Sequence, residues 1–258
     1  MIVCVDAGNT TINFGLYNES KLIDKFSVQT KPIKSSEEYG NILINHYNIN
    51  KINLKDIKGI IISSVVTDIN IPLKKMFKKY FQLDAIFVNT SMPLDININV
   101  KPVESLGADL LVGAYASMVK YGVPHIVIDM GTAITLMAVN NQCEFIGGVI
   151  YPGVLTSFSS LINSTSLLDY TGLNIPSNVI NNETNKCLQS GMTYGTKALI
   201  NGLVSDMKKE MNEENLKVIL TGGTAKQLYS MFNDYIYDET LLLDGLNLIY
   251  QKLNGASK

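Results

Sequence analysis

An apolar segment that ends in Asp-x-Gly and opens a hairpin occurs twice in this chain, 123 residues apart. The first copy runs from residues 2–5 into Asp6-Ala7-Gly8-Asn9-Thr10. Beyond it, Ile12, Phe14 and Leu16 alternate with Asn13, Gly15 and Tyr17. That period of two predicts a strand, residues 18–20 predict a turn, and 22–28 predict the returning strand. The second copy runs from 126–128 into Asp129-Met130-Gly131-Thr132-Ala133, with a strand over 134–139, a turn at 140–142 and a return over 145–150. A single Asp-x-Gly turn is common and constrains little. Two, each opening a hairpin of similar size and separated by half a chain, predict an internally duplicated domain.

Both halves continue as alternating helices and strands. The first half predicts a helix over 36–47, a buried strand over 59–65, a helix over 71–80 and a strand over 85–88. The second predicts a helix starting over 154–161, one or two helices within 186–211 and a strand over 216–220. Its end reads as a short apolar segment at 241–243, then Gly245, then an amphipathic helix over 246–253. Antiparallel hairpins followed by βα units predict an α/β fold of duplicated domains, with mixed sheets flanked by helices. The expected domains are residues 1–112 and 113–258. No low-complexity linker separates them, and a helix over 108–120 is expected to cross between them, so the halves should hinge about a cleft.

Composition narrows the function classes. With 258 residues, 46% of them hydrophobic, the chain can bury a sizeable core. A net charge of −2 without a basic stripe argues against nucleic acid as a partner. Lys74, Lys75, Lys78 and Lys79 are spaced as a solvated helix face. The chain contains no arginine. A bound anion must therefore be held by lysine, backbone N–H groups, hydroxyls or a cation, without a guanidinium fork. Cys4, Cys143 and Cys187 are too far apart for a redox pair or a zinc-finger spacing, and Cys4 reads as a small core residue. His46 and His125 are too few for a histidine-rich metal site, and His125, after Pro124, reads as a capping or edge residue. No leader pattern and no apolar stretch of membrane-spanning length is present, so the expectation is a cytoplasmic protein with no membrane partner.

The chemistry of the two turns suits a polyphosphate. Such a ligand needs N–H groups aimed at its oxygens, little side-chain obstruction and a cation. Gly8 and Gly131 are expected to let the backbone approach closely and to adopt positive φ. Thr10, Thr11 and Thr132 offer hydroxyl donors. Asp6 and Asp129, at strand ends, can hold a hydrated Mg²⁺ or another cation. Taken singly, each pattern also suits an aspartate capping a turn and a glycine serving the hairpin. A third glycine site, Thr221-Gly222-Gly223-Thr224-Ala225, follows a strand and precedes a helix, and its paired glycines let a flat ring lie against backbone. It is neither a Walker A loop nor a dinucleotide fingerprint. Asp109, in Gly107-Ala108-Asp109, precedes an apolar helical stretch. It can accept the proton of an attacking hydroxyl, or serve as an acid favoured in a first helical turn; from the residues alone both readings stand.

Asp6-Ala-Gly-Asn-Thr10, Ser63-Ser-Val-Val66, Gly107-Ala-Asp109, Asp129-Met-Gly-Thr-Ala133, Gly147-Gly148 with Pro152-Gly153, Gln189-Ser-Gly191, Thr221-Gly-Gly223 and Leu243-Asp-Gly-Leu246 occur in this order. Singly weak, together they span nearly the whole chain, which resembles type III pantothenate kinase of the acetate and sugar kinase/Hsc70/actin superfamily. The resemblance implies a duplicated actin-like (ribonuclease H-like) fold, a homodimer, and ATP-dependent phosphorylation of pantothenate, the first step towards coenzyme A. It implies Mg²⁺ and a monovalent cation, K⁺ or NH₄⁺. By the resemblance, ATP phosphates meet Asp6, Ala7, Gly8, Asn9, Thr10, Thr11, Ile12 and Asn13. Thr132 touches the nucleotide, and adenosine sits at Gly222 and Gly223. Gly107, Ala108, Asp109 and Leu110 face the substrate, with Asp109 the proton acceptor. Asp6 matches the Mg²⁺ site, Asp129 the monovalent cation site, and Thr184 contacts pantothenate across the dimer interface. The chain departs from the pattern at Leu110, where the family carries a substrate-binding arginine. Lys101 can offer a point charge instead, and Leu106 replaces an aromatic or other apolar residue. The departure leaves two alternatives: a paralogue that binds nucleotide or ligand as a regulator, or a kinase of another small hydroxy compound.

Overall fold

The computed structural model describes residues 1–165 and 172–255. The first part of the chain forms β1 (Ile2–Ala7), β2 (Thr11–Asn18), β3 (Lys21–Gln29), α1 (Ser36–Ile49), β4 (Gly59–Ser64), α2 (Thr67–Phe81), β5 (Ile86–Phe87), β6 (Asn97–Ile98) and α3 (Ala108–Tyr121). Then follow β7 (His125–Met130), β8 (Ala133–Val139), β9 (Glu144–Pro152), α4 (Val154–Asn163), α5 (Thr184–Met211), β10 (Lys217–Thr221), α6 (Ala225–Leu228), β11 (Ile236–Tyr237) and α7 (Leu241–Leu253). They group into two units: Met1–Asp95, Val100–Ala116 and the segment from Thr240 on form one, and Ile96–Asn99 with Ser117–Glu239 form the other.

In the first unit the sheet runs β3-β2-β1-β4-β5. The hairpins β1–β2 and β2–β3 are antiparallel, whereas β1–β4 and β4–β5 are parallel. The pleat sorts the side chains. Val3, Val5, Phe14, Leu16, Ile60 and Ile62 turn to one face and bury against Leu43 and Tyr47 of α1 and Leu73 and Phe77 of α2. Ser35 starts α1 with a reciprocal cap: its hydroxyl accepts from the Glu38 N–H while the Glu38 carboxylate accepts from the Ser35 N–H. The lysines of α2 are solvated, as expected, with Lys78 and Lys79 paired to Asp84 and Glu37, each at 2.8 Å.

Helix α7 covers the opposite face. Leu243 lies over Gly15, Tyr250 over Gly59, and the Tyr17 hydroxyl donates to Asp244 at 2.5 Å. Here the structure corrects the sequence reading. Gly245 does not separate an apolar segment from a helix but lies within one continuous helix, Leu241–Leu253. A methyl group at this position would come within 2.8 Å of both the Ala116 Cβ and Val112 Cγ1 of α3. Glycine in a helix costs about 1 kcal/mol relative to alanine; close packing of α7 on α3 offsets it.

In the second unit the sheet runs β11-β10-β7-β8-β9-β6. Strands β9-β8-β7-β10-β11 repeat the order and the directions of β3-β2-β1-β4-β5, with β6 added beside β9. The duplication read from two turns is therefore present in the whole strand order. Ile126, Ile128, Leu136, Val218 and Leu220 form a core with Val154 of α4 and Ile200 and Val204 of α5. The 186–211 region is one helix of 28 residues starting at Thr184.

His125 is a second correction. It is neither a cap nor an edge residue: it is fully buried in β7, opposite Val139 of β8 and Lys217 of β10. Its Nδ1 donates to the Gly122 carbonyl at 2.9 Å, so Nε2 accepts from the Ser117 hydroxyl at 2.6 Å. Burial lowers its pKa to about 4, with Lys217 adding to the effect against the Gly122 hydrogen bond, and the ring is held neutral.

Candidate active site

In the first unit, the parallel and antiparallel neighbours of β1 put Asp6 opposite both Asn13 and Ser63. Asp6 is only 7% exposed. Burial pushes its pKa up to about 7; the Asn13 amide, donating to Oδ2 at 3.2 Å, opposes the shift, and the nearby Asp109 carboxylate adds to it. The hairpin tip beyond Asp6 is tied by backbone pairing. Gly8 N donates to the Thr11 carbonyl at 3.0 Å, and Thr30 donates from its hydroxyl to the Gly8 carbonyl at 2.7 Å and from its N–H to the Thr10 carbonyl at 3.0 Å. Asn9 and Thr10 are exposed at the tip, whereas the side chains of Ala7 and Ile12 are buried and leave only their backbone for a ligand.

Asp109 sits in the first turn of α3, where its Oδ1 accepts from the Leu110 N–H at 2.8 Å. The carboxyl folds back over Gly107: a Cβ there would be 2.5 Å from Oδ1. Burial raises the Asp109 pKa, against the pull of the backbone N–H groups of Leu110 and of Asp109 itself. Asp6 and Asp109 thus belong to one unit, and the Asp109 charge disfavours ionisation of Asp6. Ala108 and Leu110 flank Asp109, both half-buried, and Lys101 is exposed.

In the second unit Asp129 lies opposite Thr135 and Thr221. The third glycine site is bound to it sterically. Gly222 has φ +99°, and a Cβ there would run into the Asp129 carboxylate and come within 2.6 Å of Met130 N. Gly223 faces open space. The expectation of positive φ at Gly8 and Gly131 is corrected: neither adopts it, because antiparallel pairing carries both turns in ordinary backbone geometry, and Gly222 is the site glycine that does. The Thr132 carbonyl accepts from Gly153 N at 3.0 Å and from the Thr156 hydroxyl at 2.7 Å, which joins the second turn to the start of α4. Thr184 is exposed as the first residue of α5. Lys186 and Gln189, further along the start of that helix, line a pocket of about 590 Å³ with Ile175, Pro176, Asn178 and Asn181.

Among the described residues no three His, Cys, Asp or Glu side chains gather into a metal cage. The donor set nonetheless fits a divalent cation that keeps most of its waters and leans on substrate phosphates, since such an ion needs one or two carboxylates from the protein. Asp6 fits that role: it is a buried carboxylate that a cation would return to its ionised form. Ser63 and Ser27, to which the sequence reading assigned no role, stand in the same register row as Asp6. Only strand pairing reveals this, because the four positions of the row are scattered along the sequence.

The type III pantothenate kinase family matches residues 2–206. The chain is 34% identical to the type III pantothenate kinase of Exiguobacterium sp. strain AT1b over 254 residues, 98% of this chain and 99% of that one. A Campylobacter jejuni structure described as a conserved Baf family transcriptional activator superposes with a TM-score of 0.59 at 21% identity, over 99% of this chain and 100% of that one. Component A of (R)-2-hydroxyglutaryl-CoA dehydratase from Acidaminococcus fermentans superposes with a TM-score of 0.56 at 11% identity, over 99% of each chain. At such identities these two likenesses bear on the fold, which is the duplicated actin-like α/β fold. Family match and identity, each extending over most of the chain, agree with the two mixed sheets and their paired aspartate turns: this chain is a phosphotransferase belonging to the type III pantothenate kinase family.

Proposed function

We propose that the protein transfers the γ-phosphoryl group of ATP to the primary hydroxyl of pantothenate, giving 4'-phosphopantothenate as the first step towards coenzyme A. The observation that carries the reading is the half-buried Asp109 carboxyl, folded over Gly107 and felt by Asp6. Burial raises its proton affinity, which suits an acceptor of the hydroxyl proton. In this role Asp109 orients the hydroxyl and takes its proton as the bond to phosphorus forms. The turn Asp6–Asn13 supplies N–H groups and the hydroxyls of Thr10 and Thr11 to the phosphates, and Thr132 supplies a further contact. Gly222 and Gly223 give adenosine a backbone surface free of side chains.

Asp6 would hold Mg²⁺ and Asp129 a monovalent cation, K⁺ or NH₄⁺; bound there, they neutralise phosphate charge that no arginine of this chain can meet. Gly107, Ala108 and Leu110 line the substrate, Lys101 offers its carboxylate a point charge, and Thr184 reaches it from a second copy in a homodimer. The expected setting is the cytoplasm. Such catalysis is mainly positioning and electrostatics.

The test is coupled ADP release by the purified protein with ATP and Mg²⁺, with and without pantothenate, in K⁺ or Na⁺, with the product identified by mass. Release that depends on pantothenate and is greater in K⁺ is expected. Release supported only by a different hydroxy compound, or tight nucleotide binding without any turnover, would refute the assignment.

A further inference from the structure

Ser27, Asn13, Asp6 and Ser63 form one row across four neighbouring strands. Ser27 is opposite Asn13, Asn13 is opposite Asp6, and Asp6 is opposite Ser63. Residues paired in this way put their side chains on the same face of a sheet. Hydrogens in the row are donated towards Asp6: the Ser27 hydroxyl donates to Asn13 Oδ1 at 2.7 Å, and Asn13 Nδ2 donates to Asp6 Oδ2 at 3.2 Å. The Ser27 bond also fixes which way the Asn13 amide points.

On the other side of Asp6 stands Ser63, fully buried, its Oγ without a hydrogen-bond partner. Buried hydroxyls are nearly always satisfied, so one left open in a central strand asks for its partner. An ionised carboxylate accepts at about four lone-pair positions, and the bond from Asn13 leaves Asp6 with capacity to spare. In the second unit Thr135, which faces Asp129 from the hairpin strand as Asn13 faces Asp6, also has a buried hydroxyl oxygen without a partner.

We propose that Ser63 is a positioning residue of the phosphate and cation site: its hydroxyl turns onto the Asp6 carboxylate, opposite the Asn13 amide, and holds it in the orientation that receives a hydrated divalent cation. The inference rests on the kinase reading and deepens it. Ser63 acts through Asp6 and touches neither nucleotide nor substrate. In the ligand-free fold its hydroxyl is unsatisfied, and it gains a partner when the cation settles the Asp6 carboxylate in the orientation that faces Ser63.

Ser63→Ala separates this role from a structural one, because the two predict opposite signs. Binding of Mn²⁺ in the presence of ADP is followed by the loss of the free Mn²⁺ signal in electron paramagnetic resonance, and ligand-free melting is measured alongside. A hydrogen bond to a charged group supports an expected loss of Mn²⁺–ADP affinity of about tenfold. The ligand-free melting temperature should be unchanged or higher, because an unpartnered buried hydroxyl has been removed. Ser63→Cys, of similar size but a weaker donor, should fall between. Ser27→Ala, at the exposed end of the row, should lose about two- to threefold through a freed Asn13 amide. Mn²⁺–ADP affinity of Ser63→Ala within twofold of wild type would overturn the proposal and leave the kinase reading standing. A ligand-free melting temperature well below wild type would overturn it too, since the hydroxyl would then already have a partner. Failure of the wild-type protein to bind Mn²⁺–ADP would overturn both.

Discussion

Exchanging Gly222 for alanine, with Gly223→Ala as its control, separates backbone necessity from mere sequence pattern at the third glycine site. Gly222 has φ +99°, outside the range that L side chains readily adopt. Holding alanine there costs roughly 1–2 kcal/mol. Its Cβ would also lie 2.6 Å from Met130 N and 2.7 Å from Met130 C, besides meeting the Asp129 carboxylate. The carboxylate can swing aside, but Met130 is backbone of the central strand β7 and cannot yield without disturbing its ladder, so overpacking adds about 1–3 kcal/mol. Together these give about 2–5 kcal/mol. At about 2–4 °C per kcal/mol for a chain near this size, the melting temperature should fall by roughly 4–20 °C. Gly223 has ordinary φ, and a methyl group placed there would meet nothing within 4 Å, so Gly223→Ala should stay within about 0.5 kcal/mol of wild type. Ligand-free thermal melting of the three proteins reads the contrast directly, and ADP titration shows whether Asp129 has been displaced with it. Equal melting temperatures for the two variants would refute the reasoning.

Asp109→Asn keeps the size of the side chain while removing the proton acceptor; turnover should fall by about 10²–10⁴-fold with ATP binding retained. Turnover near wild type would remove Asp109 from that role. Leu110→Arg restores the guanidinium that the family pattern places next to Asp109, and the KM for pantothenate should fall by about tenfold, as for a gained charge-assisted hydrogen bond. An unchanged KM would show that this position does not limit substrate binding. His125 supplies a pH signature. Its folded pKa is lowered to about 4 from 6.5, so the unfolded chain binds the proton first. The corresponding stability is fully present above pH 6.5 and is lost as pH falls towards 4, by about 3 kcal/mol over the window. Urea unfolding of wild type and His125→Gln across that range should show a shallower acid loss in the variant; parallel curves would refute the assignment.

The elements most legible in the sequence were those whose signal is local. Alternation of Ile12, Phe14 and Leu16 with Asn13, Gly15 and Tyr17 marks β2, because one face enters the apolar core under α1 and α2 while the other carries small or polar-tipped residues, of which Gly15 and Tyr17 meet α7. Strands β6 and β11 have only two residues each, too few for any period to register, whereas β5, equally short, lies inside the apolar run read as a strand over 85–88. Gly245 misled because propensity counts a glycine as a break, whereas packing against Val112 and Ala116 gives it a place inside α7. Gly8 and Gly131 misled in the same way: an Asp-x-Gly turn suggests positive φ, and the ladder imposed ordinary angles. For His125 a neighbouring proline looked decisive, while the strand order put the ring in the middle of a sheet. Leu110 was legible as a departure, since a missing arginine is a fact of composition.

By itself the sequence determined the duplicated pattern of strands and turns, the aspartates that close β1 and β7, and the absence of any guanidinium, because each depends on residues adjacent in the chain or on composition alone. Tertiary structure alone decided that α7, from the far end of the chain, covers the first sheet, that Asp109 lies near enough to Asp6 to be felt by it, and that a partnerless Ser63 stands beside Asp6. These are pairings between distant segments, set by strand register and by how closely backbones approach, and no local period along a chain encodes them.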